Sequence, residues 1–369
     1  MEASLHGAGV LSRVYVDNYR SLVNFELKLG REQLFIGRNG AGKTTLFDAV
    51  DAITRFARGE STIDALFPFA SKTRWSSLPE QSFELDLGSS GSYRLVVRHD
   101  PGQSAPRVAH ESVSSGSTTL FSCSDGSARL FRDDGSDGPQ LLADPSRSSL
   151  PVIPERPDNR KLTALKRALA RVRVASPDPR RMVPVSERED TAPLRDLSNL
   201  ASWYRHLHQE DSARTEGMRD GLRSILDGFY TLDLKTEGAS RRLSTRWRSG
   251  PDARTIEFML DELSDGQRVL LGLAMLAAGP DGEETTLLLD EPDNFVALAE
   301  VQPLLMSMRL RPELQVLVIS HHPEVINLQA REHGLVFERQ NLGPTRVRPF
   351  EADEQCSLTP AEIVTRGEE

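Results

Sequence analysis

The stretch Gly37-Arg38-Asn39-Gly40-Ala41-Gly42-Lys43-Thr44-Thr45 contains the phosphate-binding pattern G-x-x-x-x-G-K-[ST] without a mismatch. A polyphosphate needs several backbone N–H groups converging on its oxygens. Only a chain tolerant of positive φ curls tightly enough to supply them, which accounts for the glycines. Lys43 can then reach the outer phosphates as a mobile point charge, and the Thr44 hydroxyl is placed to ligate Mg²⁺. The whole run from Arg38 to Thr45 reads as a nucleoside triphosphate cradle.

A second set of reactive residues lies far downstream. Leu263-Ser264-Asp265-Gly266-Gln267-Arg268 precedes an apolar helical stretch from Val269 to Ala278, giving another polar loop at a helix N-terminus, where anions are favoured. The apolar run Thr286-Leu287-Leu288-Leu289 then ends in Asp290-Glu291-Pro292-Asp293-Asn294. Adjacent carboxylates at the C-terminal end of a buried strand suit a Mg²⁺-organising Asp290 and a water-activating Glu291. Val316-Leu317-Val318-Ile319, a further buried strand, ends in Ser320-His321-His322-Pro323, and a histidine there can hydrogen-bond a terminal phosphate.

These residues need elements to hold them. Leu34-Phe35-Ile36 reads as a strand, and Leu46, Ala49, Val50, Ile53 and Phe56 give Thr45 to Phe56 a helical period, so strand, glycine loop and helix follow one another. Alternation predicts strands over Arg13 to Arg20 and Phe25 to Leu29, and strands and turns from Phe83 to Leu142, with a hairpin at Asp125-Gly126. Leu162 to Val172, Ser198 to Leu207 and Ala213 to Leu226 read as helices, and no heptad pattern is sustained between the phosphate loop and residue 260. Thr359-Pro360-Ala361-Glu362 has capping-box form and predicts a short terminal helix. His206 and His208, two apart on a helix, face different sides and do not suit a metal pair.

The 369 residues carry a net charge of −9, so no global basic field advertises nucleic acid. Lys161, Lys166, Arg167, Arg171 and Arg173 make either a solvated helix face or, with Arg180, Arg181, Arg241, Arg242, Arg246 and Arg248, a local phosphate-contacting patch. Two cysteines, Cys123 and Cys356, show no metal-ligand spacing, and nothing approaches a membrane-spanning run. The expectation is a cytoplasmic protein with no membrane partner.

The phosphate loop, LSDGQR, LLLDEPDN and SHHP, in that order, resemble the Walker A, signature, Walker B/D-loop and switch-histidine motifs of the ABC-type ATPases. Within that superfamily the chain looks most like the compact branch that includes the OLD-family ATPases and the ATPase subunits of anti-phage systems such as Septu and PARIS. Asn18-Tyr19-Arg20-Ser21 shares the look of that branch, and Asp265 resembles its LSDG form of the signature. Lys43 and Ser264 stand 221 positions apart, more than in transporter subunits, and the interval lacks the coiled coil of the SMC branch. RecF-like mediators are similar in size, but their Walker B region does not usually read DEPDN. Only 78 residues follow Glu291, so the Toprim nuclease of the OLD family is expected to be missing.

The resemblance implies an α/β ABC-ATPase head with a mixed central sheet, an antiparallel β-subdomain and a helical subdomain. The expected division is an ATPase lobe over 1–150, a helical subdomain with connecting strands over 151–255, a second ATPase lobe over 256–350 and a tail over 351–369. It further implies ATP and Mg²⁺ held by a homodimer or higher oligomer, with Ser264 and Gly266 acting in trans, and His321 aligned with the family's switch histidine. Gln81 is either the Q-loop residue near Mg²⁺ or an exposed strand-leading glutamine. Arg20 either approaches the phosphates or is a salt-bridged strand arginine. The implied function is ATP hydrolysis, with Glu291 as base, controlling a separate effector in anti-phage defence. A RecF-like DNA-binding ATPase and an ATP-gated scaffold with negligible turnover are the alternatives.

Overall fold

A computed structural model describes residues 9–366 other than 104, 250–253, 279–282 and 353–357. In chain order it begins with β1 (Arg13–Asp17), β2 (Phe25–Lys28), β3 (Glu32–Ile36), α1 (Lys43–Ala57), β4 (Glu80–Asp86), β5 (Ser92–Arg98) and β6 (Arg107–Ser115). There follow β7 (Thr118–Ser124), β8 (Ser127–Phe131), β9 (Asp137–Leu142), α2 (Arg160–Ala170), β10 (Val185–Ser186), α3 (Leu200–Glu210), α4 (Ser212–Ile225), β11 (Phe229–Glu237), β12 (Ser240–Ser249) and β13 (Arg254–Met259). The last part holds α5 (Asp265–Ala277), β14 (Thr285–Asp290), α6 (Leu298–Arg309), β15 (Leu314–Ile319), α7 (Pro323–His333), β16 (Gly334–Glu338), β17 (Arg346–Pro349) and α8 (Pro360–Arg366). The chain forms two units, one of Met1–Arg173, Glu284–Leu288 and Pro323–Glu369, the other of Val174–Glu283 and Leu289–His322.

In the first unit, period-two alternation builds an eight-stranded antiparallel sheet in the order β2-β1-β4-β5-β6-β7-β8-β9. Val14 pairs with Leu85 and Val16 with Phe83, all four fully buried, so one face of the strands is core. The expected hairpin is present: Asp125 and Gly126 have φ of +49° and +75°, the sign that a type I′ turn demands at both positions. The strand expected over Arg13 to Arg20 stops at Asp17, because Asn18 and Arg20 adopt φ of +60° and +49° and turn the chain. Cys123 is buried on β7, whereas Cys356 lies outside the described residues.

Elsewhere in this unit, β3 pairs in parallel with β16, which pairs antiparallel with β17. Leu46, Phe47, Val50, Ile53 and Phe56 form the buried face of α1. The basic residues of α2 are held by their own chain: Lys161 Nζ donates to the Asp133 carbonyl, Lys166 Nζ to the Ile153 carbonyl, and Arg167 pairs with Glu155. Helix α8 carries the expected capping box, with Glu362 accepting from the Thr359 N–H at 2.8 Å, and packs on α7 through buried Ala361 and Ile363.

In the second unit, β12 pairs with β10, β11 and β13 in a four-stranded antiparallel sheet. Its arginines are also paired within the unit, Arg181 with Asp196, Arg242 with Glu237 and Arg246 with Asp233, while Arg248 lies over the Tyr230 ring. His206 faces Glu189 and the ring of His208 stacks on Tyr204. The buried strand β15 and the end of β14 carry the residues described next.

Candidate functional site

In the first unit, the buried end of β3 delivers the chain into the phosphate loop, and Gly42 is the N-cap of α1 at φ +109°, a conformation closed to most L-residues. No acidic residue occupies the first turn of α1, so its positive end is left for an anion. Lys43 is buried and its Nζ donates to the carbonyls of Gly37 and Arg38 at 2.7 and 3.2 Å. Arg38, Asn39, Gly40 and Thr44 are exposed, Ala41 is buried and Thr45 half-buried. A cavity of about 540 Å³ borders this loop, lined among others by Arg38, Asn39, Phe337, Arg339, Leu342 and Val364.

Two expectations about the same unit need amending. Arg20 does pair with an acid, Asp48 of α1, but from a tight turn rather than a strand, and its guanidinium also lies over Tyr19. Gln81 is not exposed, nor is its amide open for a metal. It is completely buried, with Nε2 donating to the Asn18 carbonyl at 3.0 Å and Oε1 bonded to His99 Nε2 at 2.9 Å. It ties β4 and β5 to the turn that carries Arg20. Burial, with the Lys72 charge beside it, pushes His99 down from 6.5 to about 4.

In the second unit, a fully buried strand ends at Asp290 and the chain turns sharply, with Glu291 at φ +51°. A glutamate held there stores backbone strain, of the kind found at functional sites. The turn is pinned by the Glu291 N–H donating to the Ile319 carbonyl at 2.9 Å. The Glu291 carboxylate accepts from Asn294 Nδ2 at 2.6 Å and lies 3.5 Å from His321 Nε2, so the structure joins the two residues proposed for catalysis. Asp293 accepts from the Ser320 hydroxyl at 2.8 Å, fixing the two strand-end loops together.

Sequence reasoning missed Arg195. Its Nη2 donates to Asp290 Oδ2 at 3.3 Å, and Asp290 is almost entirely buried. A guanidinium here fixes the carboxylate's orientation and offsets its desolvation. No local signal distinguishes Arg195 from the other arginines of its stretch.

The signature region differs from expectation in one respect. Helix α5 starts at Asp265, not Val269, and Ser264 is its N-cap, with its hydroxyl accepting from the Gln267 N–H and Gln267 returning the bond. Ser264 is exposed, while Gly266 is buried; a Cβ at Gly266 would lie 2.9 Å from the Phe295 carbonyl. Glycine is therefore required there by close packing.

For a divalent cation the donor chemistry fits Mg²⁺. Within the second unit the carboxylates of Asp290 and Glu291 are hard oxygen donors, and Asp293 Oδ1 is a buried acceptor with no hydrogen-bond partner. Among the described residues no three histidine, cysteine or acidic side chains form a closed metal cage. Among the described residues no helix is long and apolar enough to cross a membrane.

Residues 34–327 match the family model described as "AAA domain, putative AbiEii toxin, Type IV TA system". No curated protein matches the chain in sequence. Among solved structures, an SMC head bound to the C-terminal winged-helix domain of ScpA is similar at a TM-score of 0.56 and 13% identity, with 93% of this chain and 98% of that one covered. The SMC head domain from Thermotoga maritima gives 0.42 and 16%, over 93% and 100%. The first likeness concerns the fold alone, that of an SMC head. The chain belongs to the AAA family whose model it matches, and is an ATP-binding, P-loop ATPase in type.

Proposed function

We propose, from this membership, that the chain binds ATP with Mg²⁺ through the phosphate loop and hydrolyses it with Glu291 as the base that orients the attacking water. The observation that carries this reading is the Glu291 carboxylate held by Asn294 and facing His321, at the end of a buried strand and on strained backbone. On this reading Lys43 and the loop N–H groups would bind the phosphates, Thr44 and Asp290 would each offer an oxygen to the cation, and His321 would donate to the terminal phosphate. Mg²⁺, when bound, neutralises charge developing on the phosphate oxygens. Gln81 is left out, since its amide is spent inside the fold.

The reading extends to an assembly. Ser264 is exposed on a helix N-terminus, as a residue completing a second protomer's nucleotide site would be, so the active form is a dimer made on ATP. Its cycle controls a separate effector protein in phage defence. The family's description as a toxin of a Type IV TA system agrees with a second gene product. The basic residues of α2 and of β12 are largely paired internally, which removes the main support for the DNA-binding alternative.

The test is ATP turnover and mass in solution, with and without ATP, for the parent and Glu291→Gln. Turnover abolished in the variant with an ATP-trapped dimer supports the reading. Turnover equal in both would remove Glu291 as the base, and negligible turnover in the parent would make the protein a scaffold. Co-expression with neighbouring genes that yields no stable second protein would remove the effector.

A further inference from the structure

The phosphate loop cannot hold its shape by itself, because its glycines allow many conformations and its carbonyls need partners. Two buried residues from distant parts of the sequence meet behind it. The Thr345 hydroxyl, fully buried just before β17, lies 2.9 Å from the Ala41 carbonyl oxygen and 2.9 Å from the Ser21 hydroxyl. The Thr345 N–H also donates to the Ser21 carbonyl at 2.8 Å. A hydroxyl has one proton and a carbonyl only accepts, so Thr345 donates to Ala41 and accepts from Ser21. The side chain stands where Gly42 has none: a Cβ on Gly42 would come within 2.3 Å of Thr345 Oγ1 and 3.2 Å of Ser21 Oγ.

The consequence follows from peptide geometry. In a planar trans peptide the N–H points opposite to the C=O. Fixing the Ala41 carbonyl on Thr345 therefore fixes the Gly42 N–H in the opposite direction, away from the protein interior that Thr345 occupies. We propose that Thr345, oriented by Ser21, is the positioning residue of the phosphate loop, setting the Ala41–Gly42 peptide so that the Gly42 N–H is presented to a nucleotide phosphate. This rests on the ATP-binding reading above. It adds that the strength of binding depends on a residue that touches no nucleotide and lies 304 positions from the carbonyl it holds.

The experiment uses the full chain and compares the parent with Thr345→Val, Thr345→Ser and Ser21→Ala, measuring ATP affinity by calorimetry and the unfolding midpoint of each. Valine keeps the shape and removes the donor, leaving a buried carbonyl unpaired, so Kd for ATP should rise about tenfold. Serine restores the hydroxyl and should return Kd to within about threefold of the parent, even if the lost methyl lowers the midpoint. Ser21→Ala should weaken binding about threefold by freeing the Thr345 rotor. A folded Thr345→Val that binds ATP like the parent overturns the proposal, as does a serine variant as weak as valine. Should valine prevent folding, an unchanged Kd in Ser21→Ala overturns it instead. A parent that binds no ATP would refute the function proposed above, a result distinct from all of these.

Discussion

The two halves of the chemistry are held by different means. The phosphate loop is a backbone device: its shape comes from glycines at positive φ and from a buried hydroxyl-to-carbonyl bond reaching across 304 residues. The carboxylate cluster is a side-chain device. Asp290, Glu291 and Asp293 are each oriented by a named neighbour, Arg195, Asn294 with His321, and Ser320, and three of those four neighbours lie within about thirty positions of the carboxylate they hold. Backbone recognition tolerates changes in side chain but not in path. Side-chain recognition tolerates neither the loss of a carboxylate nor the loss of what orients it. Binding should therefore depend chiefly on the first half and turnover on the second.

The sharpest division is expected from Glu291→Gln. Removing the proposed general base should lower kcat by about 10²-fold or more while ATP affinity stays near the parent's; steady-state turnover and calorimetry together check this. A large loss of affinity would break the comparison. Lys43→Ala should do the reverse, weakening ATP binding about 100-fold through the loss of charge-assisted bonds worth about 1.5–3 kcal/mol, as read by titration. Arg195→Ala removes one partner of a mostly buried ion pair and should cost about 2–3 kcal/mol of stability, seen as a lower denaturant midpoint.

The smallest effect concerns His99, behind the phosphate half. Its folded value is held near 4 against an ordinary 6.5, so between these pH values the unfolded chain binds more protons. The stability contributed by neutral His99 is fully present above about pH 6.5 and lost progressively as pH falls towards 4. Thermal melts of the parent should therefore fall more steeply over that window than melts of His99→Gln. Parallel curves would show that His99 is not the titrating group.

Much of this was legible in the chain itself. The phosphate loop, the strand ending in Asp290-Glu291 and the strand ending in Ser320-His321 are contiguous runs whose apolar periodicity and residue types define both the element and the chemistry. The hairpin at Asp125-Gly126 and the capping box at Thr359 are local in the same sense, since each is a bond between residues a few positions apart. The strand that stopped at Asp17 was misjudged because a positive φ at Asn18 and Arg20 leaves no mark on hydrophobic alternation.

The rest required the folded chain. Nothing near Gln81 announces that its amide is spent on Asn18 and His99, nothing in Arg195 points to Asp290, and nothing in Thr345 points to Ala41. A periodic pattern states which face of an element is buried, but not which polar group on another element will meet it there. The sequence by itself determined the phosphate-loop pattern, the carboxylate pair at the end of its strand and the fold class, because those depend on local residue order. Tertiary structure decided which buried donors hold the acid and the loop in position, because a hydrogen bond across hundreds of residues exists only after the chain has closed around it.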